Sequence, residues 1–463
     1  MFTNYRLLIV AFFFCSTAIA QTPRTAFSPE EVKSDLDYLY RSLVEAHYDP
    51  YLYTTEEELH AVYEDLKNSL PQDSLSLLET HKTLQQLIAA VKNGHSTLDF
   101  PAASYFAYAE SGGTLFPLEL AFEDGHAYVR RNLSGDAAFA PGTVITSING
   151  TPMDEVLAGI YPYVSAERPY FKNVFIEFYT FPRYYWMAYG QQERFTITTR
   201  DEAGKTETKE LAPVPVFEGF EAKRGEFYLQ GLELSFPEEQ VAYLIPGGFG
   251  GDESQFQRFI DSAFVAIEEQ DAHTLILDLR NNTGGNDSFS DYLLAYFADK
   301  PYRWNARFSV RASTFLKDHI RANNDTTKQY FRTILDHADG ERFDYDFDPY
   351  LPRPEAERFT GEVYVLVNRQ SHSQAAVTAA QIQDYGFATI VGEETGEYPS
   401  LAASQFGYIL PRTGLTVRSS KGFIVRVNGD ESPQGVIPDI IVRDHLLDEE
   451  DEVLTELLNR INQ

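Results

Sequence analysis

Residues 274–285 read TLILDLRNNTGG, and residues 363–378 read VYVLVNRQSHSQAAVT. In each, an apolar run of strand length gives way to a turn. A run with apolar residues on both faces is a strand buried on both sides. Working outward, Val241 to Ile245 reads as a strand and Glu253 to Glu269 as a helix. Ser288 to Ala298 and Gln374 to Tyr385 read as helices, and Thr389 to Val391 as a strand. Strands alternating with helices predict right-handed crossovers and a mostly parallel, buried sheet. Residues 301–360 break the rhythm with charged, aromatic and proline-containing sequence. They read as an insertion that caps a site.

The upstream part has a different texture. Ser28-Pro29-Glu30-Glu31 carries a capping box and a proline suited to the first helical turn, and Val32, Leu36, Leu39 and Leu43 follow at helical spacing. A second helix is expected over 56–69 and a third from about Ser74 to Lys92, ended by Asn93-Gly94, with His95 next. From about residue 106, alternating apolar and polar residues predict strands. Pro141 to Thr151 resembles the "GD-x-I-x-x-I-N-G" signature of PDZ domains, with Thr143 where Asp is usual. Residues 160–190 are too aromatic for a regular PDZ domain. The expected organisation is a signal peptide (1–20), an N-terminal helical domain (21–105), a PDZ-like domain (106–215) and an α/β core (216–463).

Arg6, the apolar run Leu7 to Phe14 and Ala18-Ile19-Ala20 form the charged, apolar and small-residue pattern of a secretory signal. The run is too short to span a bilayer. The single cysteine of the 463-residue chain, Cys15, lies inside it. An exported mature chain, periplasmic or extracellular, would then hold no disulfide, no thiolate metal site and no cysteine nucleophile. A formal net charge of −31 argues against nucleic acid or an anionic membrane as partner. There is no H-E-x-x-H and the ten histidines are scattered, so no metal or other cofactor is expected. There is also no G-x-S-x-G nucleophile elbow.

Three loops carry candidate chemistry. Gly284-Gly285 follows the 274–279 strand, and a double glycine lets backbone N–H groups point into a cleft, as an oxyanion site needs. Ser373 falls between a strand and a helix, where free N–H groups and the helix dipole favour developing negative charge. A serine there can also be a plain helix cap. The third loop, Asn428 to Asp439, is acidic and contains Asp430 and Glu431.

Together the blocks LILDLRNNTGG (275–285), VYVLVNRQSHSQAAVTAAQIQDYGFATIVGEETG (363–396) and QGVIPDIIV (434–442) resemble the C-terminal-processing peptidase family. That family includes tail-specific proteases, the tricorn core protease and retinoid-binding repeats. VKNGHSTL (91–98) and the PDZ-like stretch extend the resemblance over most of the chain. It implies a crotonase/ClpP-like βαβ superhelix as the core, and a serine peptidase acting on peptide or protein substrates. One branch of the family uses a Ser-Lys dyad, with lysine in the loop that here reads GEETGEYPS (392–400). That loop has no lysine, and Tyr398 stands where one is expected. The tricorn-like branch implies Ser373 as nucleophile, His95 as base and Glu431 as acid, with Asp430 a possible substitute. The oxyanion donors would be the N–H groups of Gln374 and of Gly284 or Gly285. Ser371 is a second candidate nucleophile and Lys421 a rival base. A histidine base predicts activity rising through a pKa near ~6.5. The family pattern has serine before the histidine, where this chain has Gly94. A non-catalytic peptide- or ligand-binding protein on the same scaffold is the alternative; a crotonase-like hydratase ranks below it because the chain is expected to be exported.

Overall fold

The computed structural model describes residues 24–201, 203–217, 221, 231–444 and 450–463; the expected signal peptide lies outside them. The core is a six-stranded sheet in the order Glu233–Glu238, Val241–Ile245, Thr274–Asp278, Glu362–Val367, Thr389–Gly392, Ile440–Ile441. The first pair is antiparallel and the others are parallel. Strand alternation explains the unbroken apolar runs. Leu275, Leu277, Val365 and Val367 pack with the helices Glu253–Glu269 and Gln374–Tyr385. Ile276, Leu366 and Val391 face the other way, onto Val453 and Leu457 of the helix Glu452–Ile461. Because the central strands run parallel, their carboxyl ends deliver the loops after Asp278, Val367 and Gly392 to one edge.

The 301–360 segment is anchored by strand pairing. Its strand Arg307–Arg311 pairs with Thr416–Val425, which also pairs with Leu401–Ile409, so the insertion forms the edge of a second sheet. That sheet takes a further short strand, Thr97–Leu98, on Thr416–Val425 in the register Val417↔Leu98. Capping boxes at Ser28 and Ser76 start the helices Pro29–Ala46 and Leu77–Ala90. The latter stops at Ala90, short of the expected Lys92, and Lys92 turns the chain with φ 55°.

The middle domain is an antiparallel sheet in the order Thr206–Leu211, Phe195–Arg200, Val144–Ile148, His126–Asn132, Leu118–Glu123. The short strand Thr151–Pro152 pairs beside Val144–Ile148. The aromatic stretch becomes two helices, Pro169–Tyr179 and Phe181–Tyr189, whose Ile176, Phe181 and Tyr185 share a core with Leu118, Leu120 and Val129. Among the described residues, no helix is long and apolar enough to cross a membrane.

Truncating Leu277, fully buried in the central strand, to Ala leaves a cavity between sheet and helix. We expect a loss of about 2–5 kcal/mol, read as a lower urea midpoint at unchanged slope. Val265→Ala, on the exposed side of the packing helix, should stay within about 0.5 kcal/mol.

Candidate active site

Ser373 is the residue at which the strand Glu362–Val367, after a short turn, enters the helix Gln374–Tyr385. Its backbone is left-handed and extended, φ 55° and ψ −131°, and its hydroxyl makes no capping hydrogen bond. A non-glycine residue held there costs on the order of 1–3 kcal/mol, and such strain persists only where the surroundings enforce it. Here they do. The Ser373 N–H donates to Glu397 Oε2 at 2.5 Å. Asn368 ties the turn to the neighbouring loop: Asn281 N–H donates to Asn368 Oδ1 at 3.0 Å, and Asn368 Nδ2 donates to Asn281 Oδ1 at 3.1 Å. The His372 N–H donates to the Asn282 carbonyl.

The freed hydroxyl meets a histidine. Ser373 Oγ lies 3.0 Å from His95 Nε2, although 278 residues separate the two in the chain. His95 is fixed by what flanks it. The strand Thr97–Leu98 is stitched to the second sheet, and Gln405 Nε2 donates to the His95 carbonyl at 2.7 Å. Asn93 is the hub of the turn: its Oδ1 accepts from Ser96 and Ser420, and its Nδ2 donates to the Ala402 carbonyl and to Glu167 Oε1.

The far side of the imidazole faces Glu397. His95 Nδ1 lies 3.0 Å from Glu397 Oε1, and the Glu397 side chain is fully buried. Glu431, the acid expected from the sequence, is elsewhere: it is exposed and pairs with Arg307 at 3.1 Å. Asp430 is no substitute, because its carboxylate accepts from the N–H and hydroxyl of Ser432. Glu397 sits in the loop after the strand Thr389–Gly392, directly before Tyr398, the slot in which the dyad pattern expects lysine. The legible signal was a carboxylate one residue from that slot, on a loop leaving a buried strand.

The other candidates have other employment. Ser371 Oγ is buried, donating to the Leu279 carbonyl at 2.7 Å. Lys421 Nζ donates to the Ser404 carbonyl at 3.1 Å, and burial lowers its pKa to about 8. His372 lies 5.8 and 5.7 Å, ring to ring, from Phe171 and Phe175, with Nδ1 3.0 Å from the Gln370 carbonyl; burial keeps its pKa low.

Gly284, Gly285 and Gln374 border the same cleft as the serine. Gly284, with φ +83°, passes so close that a Cβ there would stand 2.5 Å from Gln374 N and 2.7 Å from Ser373 Cβ. Its own N–H is used, donating to Asn282 Oδ1 at 2.8 Å. Gly285 is bridged to Phe249 through the peptides on either side of it, which turns its own N–H away from Phe249. Gln374 opens a helix, where an N–H lacks an intrahelical partner. The pair Gln374 and Gly285 can therefore hold an oxyanion, and Gly284 cannot do so with its N–H so engaged.

Gly94 also has a reason. A Cβ there would stand 2.8 Å from Phe171 and 3.4 and 3.5 Å from carboxylate oxygens of Glu167 and Glu397. Glu167 Oε1 accepts the Gly94 N–H at 2.9 Å. Burial first, and then the charge of Glu397, raises the Glu167 pKa to about 7. For His95, burial opposes the charged form, but the Glu397 carboxylate outweighs it and the net shift is upward. Glu397 is pushed up by burial and pulled further down by His95, so its net shift is downward. No cluster of three or more His, Cys, Asp or Glu among the described residues is placed to hold a metal.

The site opens into a cleft of about 1070 Å³. A serine on a helix N-terminus, set against a histidine backed by a buried carboxylate, is a site of the serine-hydrolase type. A model of peptidase family S41 matches residues 240–442, the span that carries Ser373, Glu397, Gln374 and Gly285. Over that span the chain is similar to the peptidases of family S41. The curated carboxyl-terminal-processing protease of Synechocystis sp. is 28% identical over 223 residues, covering 47% of this chain and 41% of that protein. The match thus spans less than half of the relative's length. Among solved structures, mature CPAF aligns with a TM-score of 0.64 at 16% identity, over 94% of this chain and 96% of that one. Mature CPAF complexed with lactacystin aligns at 0.65 and 17%, over 94% and 97%. At such identity the likeness is one of fold.

A base must be neutral to accept the serine proton. Because Glu397 raises the His95 pKa, the rate of fluorophosphonate labelling of Ser373 should rise with pH through a value above 6.5, higher than the sequence alone suggests. In Glu397→Gln the largest opposition to burial is gone and only the weaker pull of Glu167 remains, so the rise should move to lower pH than in the wild type. The plateau should fall by orders of magnitude, up to about 10⁴-fold, because the imidazolium loses its counter-charge. Glu431→Gln should change neither by more than about twofold, as befits an exposed ion pair.

Proposed function

We propose that this chain is a serine peptidase working by a Ser373-His95-Glu397 mechanism. The observation that carries the reading is the continuous contact from Ser373 Oγ through His95 to the buried Glu397. His95 Nε2 takes the hydroxyl proton as Ser373 Oγ bonds to the scissile carbonyl carbon. The Gln374 and Gly285 N–H groups hold the oxyanion. Collapse of the intermediate breaks the C–N bond, and His95 returns the proton to the departing amine. Water then repeats the sequence on the acyl-enzyme, giving a free carboxylate and restoring Ser373. Glu397 favours the Nδ1–H tautomer and stabilises the imidazolium.

Residues 1–20 support an exported enzyme, and the acidic chain suits a peptide rather than a polyanionic partner. Ser373→Ala should abolish hydrolysis of an unfolded protein substrate and fluorophosphonate labelling while thermal melting is retained. Folded wild-type protein that neither labels at Ser373 nor cleaves would instead favour a binding protein on this scaffold.

We further propose that the middle domain is a PDZ-like module that captures a substrate C-terminus. Its segment 165–168 supports this by contacting both sides of the site. Glu167 accepts from the Gly94 N–H, and Arg168 donates to the Thr395 and Gly396 carbonyls. A PDZ-type groove holds a terminal carboxylate on backbone N–H groups, so amidating the substrate C-terminus should raise KM several-fold. Equal KM for acid and amide would leave the domain a structural one.

A further inference from the structure

The cleft is not uniform. On the side of the 301–360 insertion it is walled by aromatic rings. Trp304 and Phe308 stand 5.5 Å apart, Trp304 and Phe347 5.4 Å, and Tyr330 and Phe347 5.6 Å, centroid to centroid. Val377 and Ile424 complete this apolar lining, and all six residues line the same cleft as Ser373, His95 and Gln374. The rings touch one another in tilted contacts, Phe308 and Phe347 at 5.6 Å, and so form one continuous aromatic wall.

This chamber adjoins the nucleophile. Val377 stands one turn beyond Ser373 on the same helix, and its N–H donates to the Ser373 carbonyl at 3.0 Å. Gln374, whose N–H is assigned to the scissile carbonyl, lies between them.

We propose that this aromatic wall receives the side chain of the residue that contributes the scissile carbonyl, and that it selects a large aromatic residue. The ring would pack against the face that Trp304, Phe308 and Phe347 present to the cleft. Small side chains leave the chamber unfilled, and acidic ones would lose their hydration in it without a cationic partner. The proposal rests on the serine-peptidase reading and gives that reading a substrate class.

The test is a series of internally quenched peptides identical except at the residue before the cleaved bond, which is Tyr, Phe, Leu, Ala or Asp. Cleavage positions are read by mass spectrometry, and active enzyme is counted by fluorophosphonate titration. The expected kcat/KM for Tyr and Phe exceeds that for Ala by about 10- to 100-fold, the discrimination an apolar pocket gives, with Asp lowest. Val377→Trp, which fills the chamber, should cut the Tyr/Ala ratio at least tenfold. Phe347→Ala, at a half-buried wall position and less demanding of the fold, should also reduce it. Equal cleavage across the series, or a preference that follows the residue after the bond, overturns the proposal while leaving the peptidase reading intact. If folded enzyme neither cleaves any peptide nor labels at Ser373, the peptidase reading fails and takes this proposal with it.

Discussion

The buried carboxylate of Glu397 is the contact on which the rest of the site depends. One oxygen accepts the Ser373 backbone N–H and the other stands against His95 Nδ1. A single side chain thus holds both the strained backbone of the serine and the orientation of the histidine. Burying a carboxylate is unfavourable unless hydrogen bonds and counter-charge compensate, and here the two compensating groups are those that the proposed chemistry uses. Strain at Ser373, φ 55° with its hydroxyl released from capping, is paired with the contact that enforces it. The same contact explains why the serine does not relax into an ordinary helix cap.

A carboxylate in a loop needs that loop held still, and the middle domain does so. Arg168 donates to the Thr395 and Gly396 carbonyls and pairs with Glu394 at 2.8 Å. Gly435 N–H donates to Glu394 Oε1, and Val436 N–H to Thr395 Oγ1, from the other side. Arg369, four residues before Ser373, reaches Glu123 and the Phe122 carbonyl on the middle sheet. The histidine comes from a third part of the chain, anchored where Thr97–Leu98 joins the second sheet. Because the 301–360 insertion contributes a strand to that same sheet, the aromatic chamber and the histidine loop share one support.

The core was legible because its signals are local. Val241–Ile245, Glu253–Glu269 and Gln374–Tyr385 follow from apolar runs and helical spacing, and their bounds agree with the sequence reading. The capping boxes at Ser28 and Ser76 are local too; the first was read and the second was not. Ser373 and His95 were found through motif blocks, and the structure brings them within 3.0 Å. Which carboxylate stands against His95 is a tertiary fact. Asp430 and Glu431 occupy a loop that precedes the last core strand, but Glu431 ends on Arg307. Nothing local in GEETGEYPS marks Glu397 off from Glu393 and Glu394. The insertion lines the cleft as its place in the sequence suggests, but its strand Arg307–Arg311 finds its partner more than a hundred residues downstream, a pairing no local pattern reveals.

The charge balance around His95 accounts for the second carboxylate. Two ionised glutamates beside one imidazole would repel strongly in a medium that screens poorly. Glu167 and Glu397 flank the Gly94–His95 turn, and Gly94 leaves the room that both oxygens enter. The conflict is resolved unequally. Glu397 faces the imidazole and the Ser373 N–H and is held down, whereas Glu167 accepts from Asn93 and Gly94, and its pKa rises to about 7. Near neutral pH Glu167 is therefore the carboxylate that takes up a proton, and Glu397 the one that stays ionised. In a chain with a formal charge of −31, this division keeps the carboxylate behind the imidazole ionised without piling a second full negative charge beside it.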